Sequence, residues 1–349
     1  FFAVLALAWW WLGATDIVGW RQRLQKLVRA GALGLVLYLP WIAFAWWYYG
    51  SPIPHTIQAK VSHHGAGELL STLALYPWRL LFGDVALHDV FMPAYFFFGG
   101  WPSALRWFAR LLAVGGALAW LWPQVRAPGR IASAAFFLGG FYVEYIPRSP
   151  WYYPGWEALG FIAWAYLLDA ALRRAAATQP GTSAIRIVSA VWVLASVALL
   201  ASVAWQMRTQ QAIIEDGHRT TLGRWLRANA APGDRVYLEP LGYIGYFSRL
   251  KMLDWPGLAS PEVVAARRAG HLPHAGIIAA LRPQWLVLRP DQVDAIRVTA
   301  PRILTDDYRL ARAFDARPVI AAVATLPGRG YLQFDAVYLV YQRTGPSPP

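Results

Sequence analysis

An arginine beside a cluster of aromatic residues is the strongest chemical signal in the chain. The stretch reads Tyr145, Ile146, Pro147, Arg148, Ser149, Pro150, Trp151, Tyr152, Tyr153 and Pro154. A guanidinium can hold two phosphate oxygens at once, and aromatic rings stack on the apolar face of a sugar. We therefore expect Arg148 to bind a phosphate, and the three rings at 151–153 to shape a sugar or lipid site. An interfacial aromatic belt, with Arg148 on lipid headgroups, is the alternative.

A second basic loop follows the aromatic run Trp46–Tyr49. This loop, residues 50–60, contains two prolines and a glycine, which hold an irregular backbone at the level of lipid headgroups. A cation at that level meets phosphate. Lys60 and His55 are therefore predicted phosphate contacts, and an anchor loop in which Lys60 reaches the headgroups is the alternative.

Glu144 lies near the outer end of an apolar stretch. An ionisable group at that depth is a functional candidate by default, and here it would serve sugar or lipid binding. The alternative is a structural ion pair with Arg148, one helical turn further on.

Two small polar clusters occur between residues 60 and 90. The first is His63, His64 and Glu68, and the second is Asp84, His88 and Asp89. Adjacent histidines on one element do not converge easily on a metal ion, so the first cluster is a weak metal-site candidate. The second is predicted to be a solvated loop.

The composition limits the class of protein. Of 349 residues, 57% are hydrophobic and only 15% are charged, whereas about 25% are charged in an average soluble domain. A soluble enzyme is therefore excluded. The absence of cysteine excludes disulfides, thiolate metal ligands and a thiol nucleophile. The net charge of +13 comes from scattered basic residues, which favours a membrane surface over a nucleic-acid partner.

Five apolar stretches are long enough to suggest membrane crossings. They are Gly31 to Tyr49, Trp107 to Pro123, Ile131 to Ile146, Glu157 to Leu172 and Ile187 to Trp205. The opening run, Phe1 to Ala14, is shorter than a complete span, and the chain begins with Phe. We therefore expect that the first span starts upstream of Phe1.

Loop charges predict the orientation. Segments 16–30, 124–130 and 173–186 carry nine basic residues, so the positive-inside rule places them in the cytoplasm. Alternation then puts residues 50–60, the Arg148 stretch and the chain after 205 outside. Segment 68–105 is either a surface helix or an extra hairpin that includes the run Val90 to Leu105, which gives six to eight spans in total in a cytoplasmic membrane.

The chain changes composition after Trp205, since 17 of its 20 Trp lie before residue 206. This predicts a membrane domain over 1–205 and a small extracytoplasmic α/β domain over 206–349. Strands are expected at Arg235 to Glu239, Trp285 to Leu288 and Tyr331 to Tyr341, and helices at Pro261 to Ala269 and Ala275 to Leu281.

The stretch Leu241 to Phe247 follows a predicted strand and contains Gly242 and Gly245. Its glycine spacing is not G-x-G-x-x-G, so close packing of a helix on a strand explains the glycines better than a dinucleotide site does.

This organisation resembles the bacterial glycosyltransferase C superfamily, the membrane enzymes that use polyprenyl-phosphate sugars, and within it the arabinofuranosyl and mannosyl transferase-like branch. The similar motifs are Gly-x-x-x-Pro-x-Thr-x-x-Ala-Lys over 50–60 and Arg-x-x-Trp-Tyr-Tyr-Pro over 148–154. The tail also resembles an extracytoplasmic domain attached to many such proteins. Its similar residues are Trp225, Leu226, Arg227, Ala228, Asn229, Pro232, Gly233, Asp234, Gly242, Gly245, Tyr246, Leu253 and Gly257. His55 stands where the family pattern has Asn.

The resemblance implies transfer of a sugar from a polyprenyl phosphate to an envelope glycan or lipid on the outer face. In such enzymes a carboxylate in the first outer loop acts as the general base, and cations hold the leaving phosphate. That loop is expected upstream of Phe1, so the catalytic base is unassigned here. The resemblance implies no cofactor and leaves a divalent metal open.

Two other functions remain open. A flippase for a lipid-linked sugar would use the same basic and aromatic residues, but it predicts charged side chains deep in several spans. A membrane-anchored binding protein would place the function in the tail.

Overall fold

The computed structural model describes residues 2–13, 17–53, 66–93, 95–145, 150–175, 179–323 and 328–345. The chain divides into two compact units. The first is built from segments of residues 1–201, and the second is mainly Ser202–Pro349, together with short segments that include Phe98–Gly100.

The first unit is helical. Its helices are α1 (Phe2–Gly13), α2 (Ile17–Tyr49), α3 (Ala66–Phe82), α4 (Ser103–Leu118), α5 (Ala127–Tyr145), α6 (Pro154–Ala175) and the start of α7 (Gln179–Gln210). Short 3₁₀ turns occur at Ala86–Asp89, Phe96–Phe98, Ala119–Leu121 and Pro150–Tyr152. All five apolar stretches noted in the sequence lie mostly within helices, which satisfy their backbone groups internally, as a membrane interior would require.

Three helices in the described parts of the chain are long and apolar enough to cross a membrane. They are Gly19–Tyr48, Ser103–Leu121 and Arg186–Asn229. The prediction of six to eight spans is not supported. Helices α5 and α6, which hold two of the predicted spans, do not qualify, since charged residues such as Glu144 and Asp169 lower their hydropathy.

Segment 68–105 is not a second membrane hairpin. The described residues between Val90 and Leu105 form a turn, one 3₁₀ turn and only the beginning of α4. Prolines and glycines in this stretch, including Gly99 and Gly100 with positive φ, break the backbone before a second helix can form. Among the described residues of this segment, α3 is the one long helix that precedes α4.

Small residues let the helices of the first unit approach closely. A Cβ at Gly139 would overlap the ring of Trp156, and one at Gly140 would overlap the hydroxyl of Tyr76. Glycine on one helix thus provides the space for a large ring on the next, as in membrane helix packing. Tyr76 and Trp156 are buried in the resulting core.

The main part of the second unit begins with the last residues of α7, from Ser202. A π-helical segment, Gln211–Arg219, continues from this helix. Its other elements are α8 (Thr220–Asn229), β1 (Arg235–Leu238), α9 (Leu241–Ser248), β2 (Lys251–Asp254), α10 (Pro261–Arg268), α11 (His274–Leu281), β3 (Trp285–Leu288), α12 (Pro290–Thr299), β4 (Tyr308–Asp315), α13 (Arg317–Ala321), α14 (Gly330–Phe334) and β5 (Val337–Arg343). A second π-helical turn lies at Ile303–Asp307.

These strands form one mixed sheet in the order β2-β1-β3-β5-β4. Strand β1 is parallel to β2 and β3, whereas β5 is antiparallel to β3 and β4. All four residues of β3 are buried, because one core lies on each face of the sheet. Leu286 and Leu288 pack in the core that holds residues of α10–α12, and Val287 packs in the core that holds residues of α8 and α9.

The predicted strand Trp285 to Leu288 is confirmed, and β1, α10 and α11 match their predictions to within a residue or two. The predicted strand Tyr331 to Tyr341 is wrong in its first part, where α14 forms instead. Alternation of polar and apolar residues over so few positions does not separate a strand from a short helix. The stretch after β1 is a helix, α9, and Gly245 on it lies against Met252 of β2, as close packing predicted. Gly242 has open space around it, so close packing does not explain that glycine.

Candidate functional site

A polar pocket of about 280 Å³ lies in the first unit, between the turn that follows α3 and the beginning of α4. Its lining combines carboxylates, guanidinium groups, an imidazole and aromatic rings, contributed by Asp84, His88, Asp89, Phe96, Phe97, Arg106, Trp107 and Arg110. The predicted solvated loop at 84–89 is therefore wrong in part. Asp84 is exposed, but His88 and Asp89 are buried.

Helix α4 supplies the basic side of this pocket. Arg106 and Arg110 are four residues apart and so share one face of the helix. The guanidinium of Arg110 donates to the carbonyl of Leu81 at 2.8 Å and lies 5.4 Å from the ring centre of Trp107. This contact ties the beginning of α4 to the end of α3. The pocket is thus held by the helices on either side of it.

Glu144 supports the turn that contributes the carboxylates Asp84 and Asp89 to the pocket. One oxygen of Glu144 accepts from Arg79 at 2.9 Å, and the other accepts from the backbone N–H of Ala86 at 2.7 Å. Arg79 also donates to the carbonyl of Asp84 at 2.9 Å. Glu144 therefore fixes the turn that presents Asp84, and it is not among the residues that line the pocket.

His88 completes the turn. Its Nε2 lies 2.9 Å from the carbonyl oxygen of Leu80, and its Nδ1 lies 3.9 Å from an oxygen of Asp84. Because the imidazole of His88 is buried between the end of α3 and Asp84, it restricts the movement of both. The backbone carbonyl of Asp84 accepts from Arg79, and its carboxylate lies beside His88, although 75% of the side chain is exposed.

The residues predicted from the Arg148 stretch fall in different environments. Trp151 is 58% exposed, Tyr152 is half-buried, and Tyr153 is part of the core. Only the first two rings are accessible to a ligand. Arg148, Lys60 and His55 lie outside the described residues, as do His63 and His64 of the proposed metal cluster.

The second unit contains a buried ionic network. Asp335 accepts from Arg289 at 2.7 Å and from Arg219 at 2.6 Å, and the hydroxyl of Tyr338 donates to it at 2.7 Å. Arg289 also contacts Glu239 at 2.5 Å, and Arg219 contacts Glu215 at 2.7 Å. Two arginines thus pair with three carboxylates, and the carboxylate of Glu239, the most exposed of the three, lies at the edge of the network.

Burial and charge act in opposite directions on this network. Burial disfavours the charge on Arg289, but the carboxylates of Asp335 and Glu239 outweigh it, so the pKa of Arg289 lies above its ordinary value. Burial, reinforced by Asp335, raises the pKa of Tyr338. These groups keep fixed protonation states through the physiological pH range, which is typical of a structural network.

Comparison with known proteins gives a match in the second unit of the chain. Residues 205–341 match the family model of a domain of unknown function, DUF8728. Searches of curated proteins and of solved structures give no match. The family model carries no activity, so the function must be argued from the sites.

Neither charged site was predicted as such from the sequence. The signal for the pocket was available, because Arg106, Trp107 and Arg110 occupy one helical face at the start of an apolar stretch. The signal for the network was a charged residue, Arg289, directly after four apolar residues. Within the described parts of the chain, no group of three His, Asp or Glu side chains is arranged to hold a metal ion.

Proposed function

We propose that the protein is a membrane glycosyltransferase that moves a sugar from a polyprenyl phosphate to a hydroxyl of an envelope glycan or lipid. The polar pocket between α3 and α4 would hold the phosphate and sugar of the donor. The proposal places this pocket, and the second unit, on the outer face of a cytoplasmic membrane.

The observation that carries the proposal is the position and lining of the pocket. It combines two arginines, two aspartates and three aromatic rings at the beginning of a helix that is long and apolar enough to cross a membrane. A lipid-linked substrate has its phosphate at that level, with the lipid chain beside the helix. The pocket volume of about 280 Å³ is close to the lower end of the range for small-molecule sites, about 300 Å³, which suits a ligand no larger than one sugar phosphate.

The chemistry assigns a role to each kind of side chain. The family resemblance puts the general base upstream of Phe1; the pocket offers another candidate, Asp84, its more exposed carboxylate. In this proposal Asp84 takes the proton of the acceptor hydroxyl as the hydroxyl oxygen attacks the anomeric carbon of the sugar. The bond between that carbon and the phosphate oxygen breaks, and polyprenyl phosphate leaves with the electron pair. Arg106 and Arg110 stabilise the negative charge of the leaving group. The phosphate contacts predicted at Arg148, Lys60 and His55, and the sugar contact predicted at Trp151, remain separate proposals from the sequence.

The described membrane helices favour transfer over transport. The apolar segments 31–48 of α2 and 187–204 of α7 contain no charged residue, whereas a flippase needs polar groups along the path of its headgroup. Charge is concentrated instead in one pocket at a helix end. That arrangement suits a reaction at the membrane surface.

The test uses the intact protein in proteoliposomes with a radiolabelled polyprenyl-phosphate sugar and a glycan acceptor. Loss of a general base lowers turnover by about 10²- to 10⁴-fold, so Asp84→Asn should do so. Arg106→Ala should lower both turnover and donor affinity, because it removes charge stabilisation that begins in the ground state. Arg148→Ala tests the contact that the family resemblance implies.

Arg174→Ala is the matched control, since Arg174 is an exposed arginine at the end of α6 and away from the pocket. It should retain full transfer. Full activity of both Asp84→Asn and Arg106→Ala would contradict the proposed site. Translocation of the lipid-linked sugar without any transfer would identify a flippase instead.

A further inference from the structure

The sheet of the second unit has a topological switch point. The chain moves from β1 to β2 on one side of β1 and then crosses to β3 on the other side, and all three strands are parallel. In open α/β sheets of this kind, ligands bind outside the carboxyl ends of the strands at the switch point. Here that point lies between the ends of β1 and β3, where Glu239 and Arg289 follow.

Glu239 presents one free oxygen at this point. Its Oε2 accepts from Arg289 at 2.5 Å and from the side-chain amide of Gln292 at 3.0 Å. Within the described part of the chain, Oε1 has no hydrogen-bond partner, and 37% of the side chain is exposed. The carboxylate is therefore fixed in orientation by two buried donors and still accessible to a ligand.

Aromatic residues lie along the same edge. Trp255 directly follows β2, and its backbone N–H donates to the carbonyl of Leu238 at 2.8 Å, which places it beside the end of β1. The ring of His274 is 4.7 Å from that of Trp255, and its Nδ1 is 2.7 Å from the hydroxyl of Tyr237. Trp255 and His274, which are both half-buried, therefore lie together at this edge of the sheet.

His274 adds a donor to the site. Burial lowers its pKa, although Glu239 and Asp291 act in the opposite direction, so the ring is neutral near pH 7. If the hydroxyl of Tyr237 donates to Nδ1, the proton of the neutral ring lies on Nε2. The edge then presents a carboxylate acceptor and an imidazole donor near an indole ring.

The charges at this edge select against other ligands. A dinucleotide would place its phosphates at the turn after β1, but this turn carries Glu239 and Pro240 instead of glycines, and Asp291 is near. A cation would be repelled by Arg289, which is paired with Glu239. It would also be repelled by Arg267, whose guanidinium lies 4.9 Å from the ring centre of Trp255. Hydroxyl groups both donate and accept, so a neutral sugar satisfies Oε1 and Nε2 together.

We propose that the carboxyl edge between β1 and β3 is a binding site for a neutral sugar residue, whose hydroxyl groups contact Glu239 and His274 beside the ring of Trp255. No family description assigns this site. It lies in the second unit and is independent of the proposed pocket between α3 and α4.

The test measures sugar binding to the full-length chain in nanodiscs, which avoid detergents that carry sugar headgroups. The probes are methyl α-D-mannopyranoside, methyl α-D-arabinofuranoside and methyl β-D-glucopyranoside, each followed by saturation-transfer NMR. At least one should bind the unmodified protein, and Glu239→Gln should weaken that binding by about tenfold or more, since each tenfold is about 1.4 kcal/mol. His274→Gln should weaken it as well.

Glu262→Gln is the matched control, because Glu262 is an accessible glutamate of the same unit that is paired with Lys251. It should bind as the unmodified protein does. Hydrogen exchange of β3 peptides shows whether Glu239→Gln remains folded, and His274→Gln decides the question if it does not.

Three results would overturn the site: no binding of any probe, equal binding by Glu239→Gln and the unmodified protein, or selective binding of spermidine in place of the sugars. Binding that is lost in Arg106→Ala and kept in Glu239→Gln would assign the sugar to the first unit. The two proposals can therefore fail separately.

Discussion

The two charged regions of this protein differ in how their charges are satisfied. In the second unit, Asp335 is 1% exposed and Arg289 is 5% exposed, and each contacts oppositely charged neighbours at hydrogen-bonding distance. In the pocket of the first unit, Asp84 is 75% exposed, and its carboxylate lies 3.9 Å from an imidazole. One region is closed by its own ion pairs, and the other is open to a ligand.

This difference separates structural charge from functional charge. Removing one partner of a buried pair leaves a charge that water cannot reach, so the whole fold loses stability. A partly exposed charge remains solvated when a neighbour is removed, so the cost falls on binding or catalysis. Glu239 lies between these extremes, with one oxygen held inside the network and the other accessible.

The largest effect on stability should follow Arg289→Met. This change leaves the buried carboxylate of Asp335 with one guanidinium fewer, and breaking a buried pair costs about 3–5 kcal/mol. Hydrogen-exchange mass spectrometry on the intact chain should show faster exchange in peptides of β3 and β5. Arg106→Met should leave exchange in the first unit nearly unchanged, and equal losses in the two variants would remove the distinction between the regions.

A smaller, pH-dependent effect is expected at His274. Its folded-state pKa is lowered by burial, so below its ordinary value of about 6.5 the unfolded chain takes up a proton more readily than the folded one. The contribution of the neutral ring is present above that pH and is lost as the pH falls towards the folded-state value. Relative to the intrinsic exchange rate at each pH, exchange in α11 peptides should therefore become faster as the pH falls from 7 to 5.

His274→Gln is the control for that measurement, because glutamine does not titrate. The variant should show a weaker dependence on pH over the same range. A pH dependence identical to that of the unmodified protein would assign the effect to another group.

The smallest effect should come from the surface pair of Lys251 and Glu262. The hydrogen bond from Lys251 lowers the pKa of Glu262, so the pair stabilises the fold above the ordinary carboxylate pKa and loses its effect as the pH falls further. Exposed pairs contribute about 0.2–1 kcal/mol. Lys251→Met should therefore change exchange in β2 and α10 only slightly at pH 7, and a loss comparable to that of Arg289→Met would contradict the comparison.

Local patterns predicted the helices and several strands correctly, since they depend on residues near each other in the chain. The four apolar residues Trp285–Leu288 indicated a buried strand, and a central strand is what they form. The same approach failed at Tyr331–Phe334, where contacts far along the chain decide between helix and strand. It also overcounted the spans, because a helix such as α5 is apolar in many residues and still carries Arg130 and Glu144.

Composition and periodicity by themselves determined a helical first part, with helices long and apolar enough to cross a membrane, and an α/β second part. These properties depend on residues that are close together along the chain. Only the tertiary structure decided which charged residues meet. Glu144 binds Arg79, which is 65 residues away, and Arg289 binds Asp335, which is 46 residues away. Ion pairs and pockets of this kind are properties of packing, since they require distant segments to be placed within a few ångströms of each other.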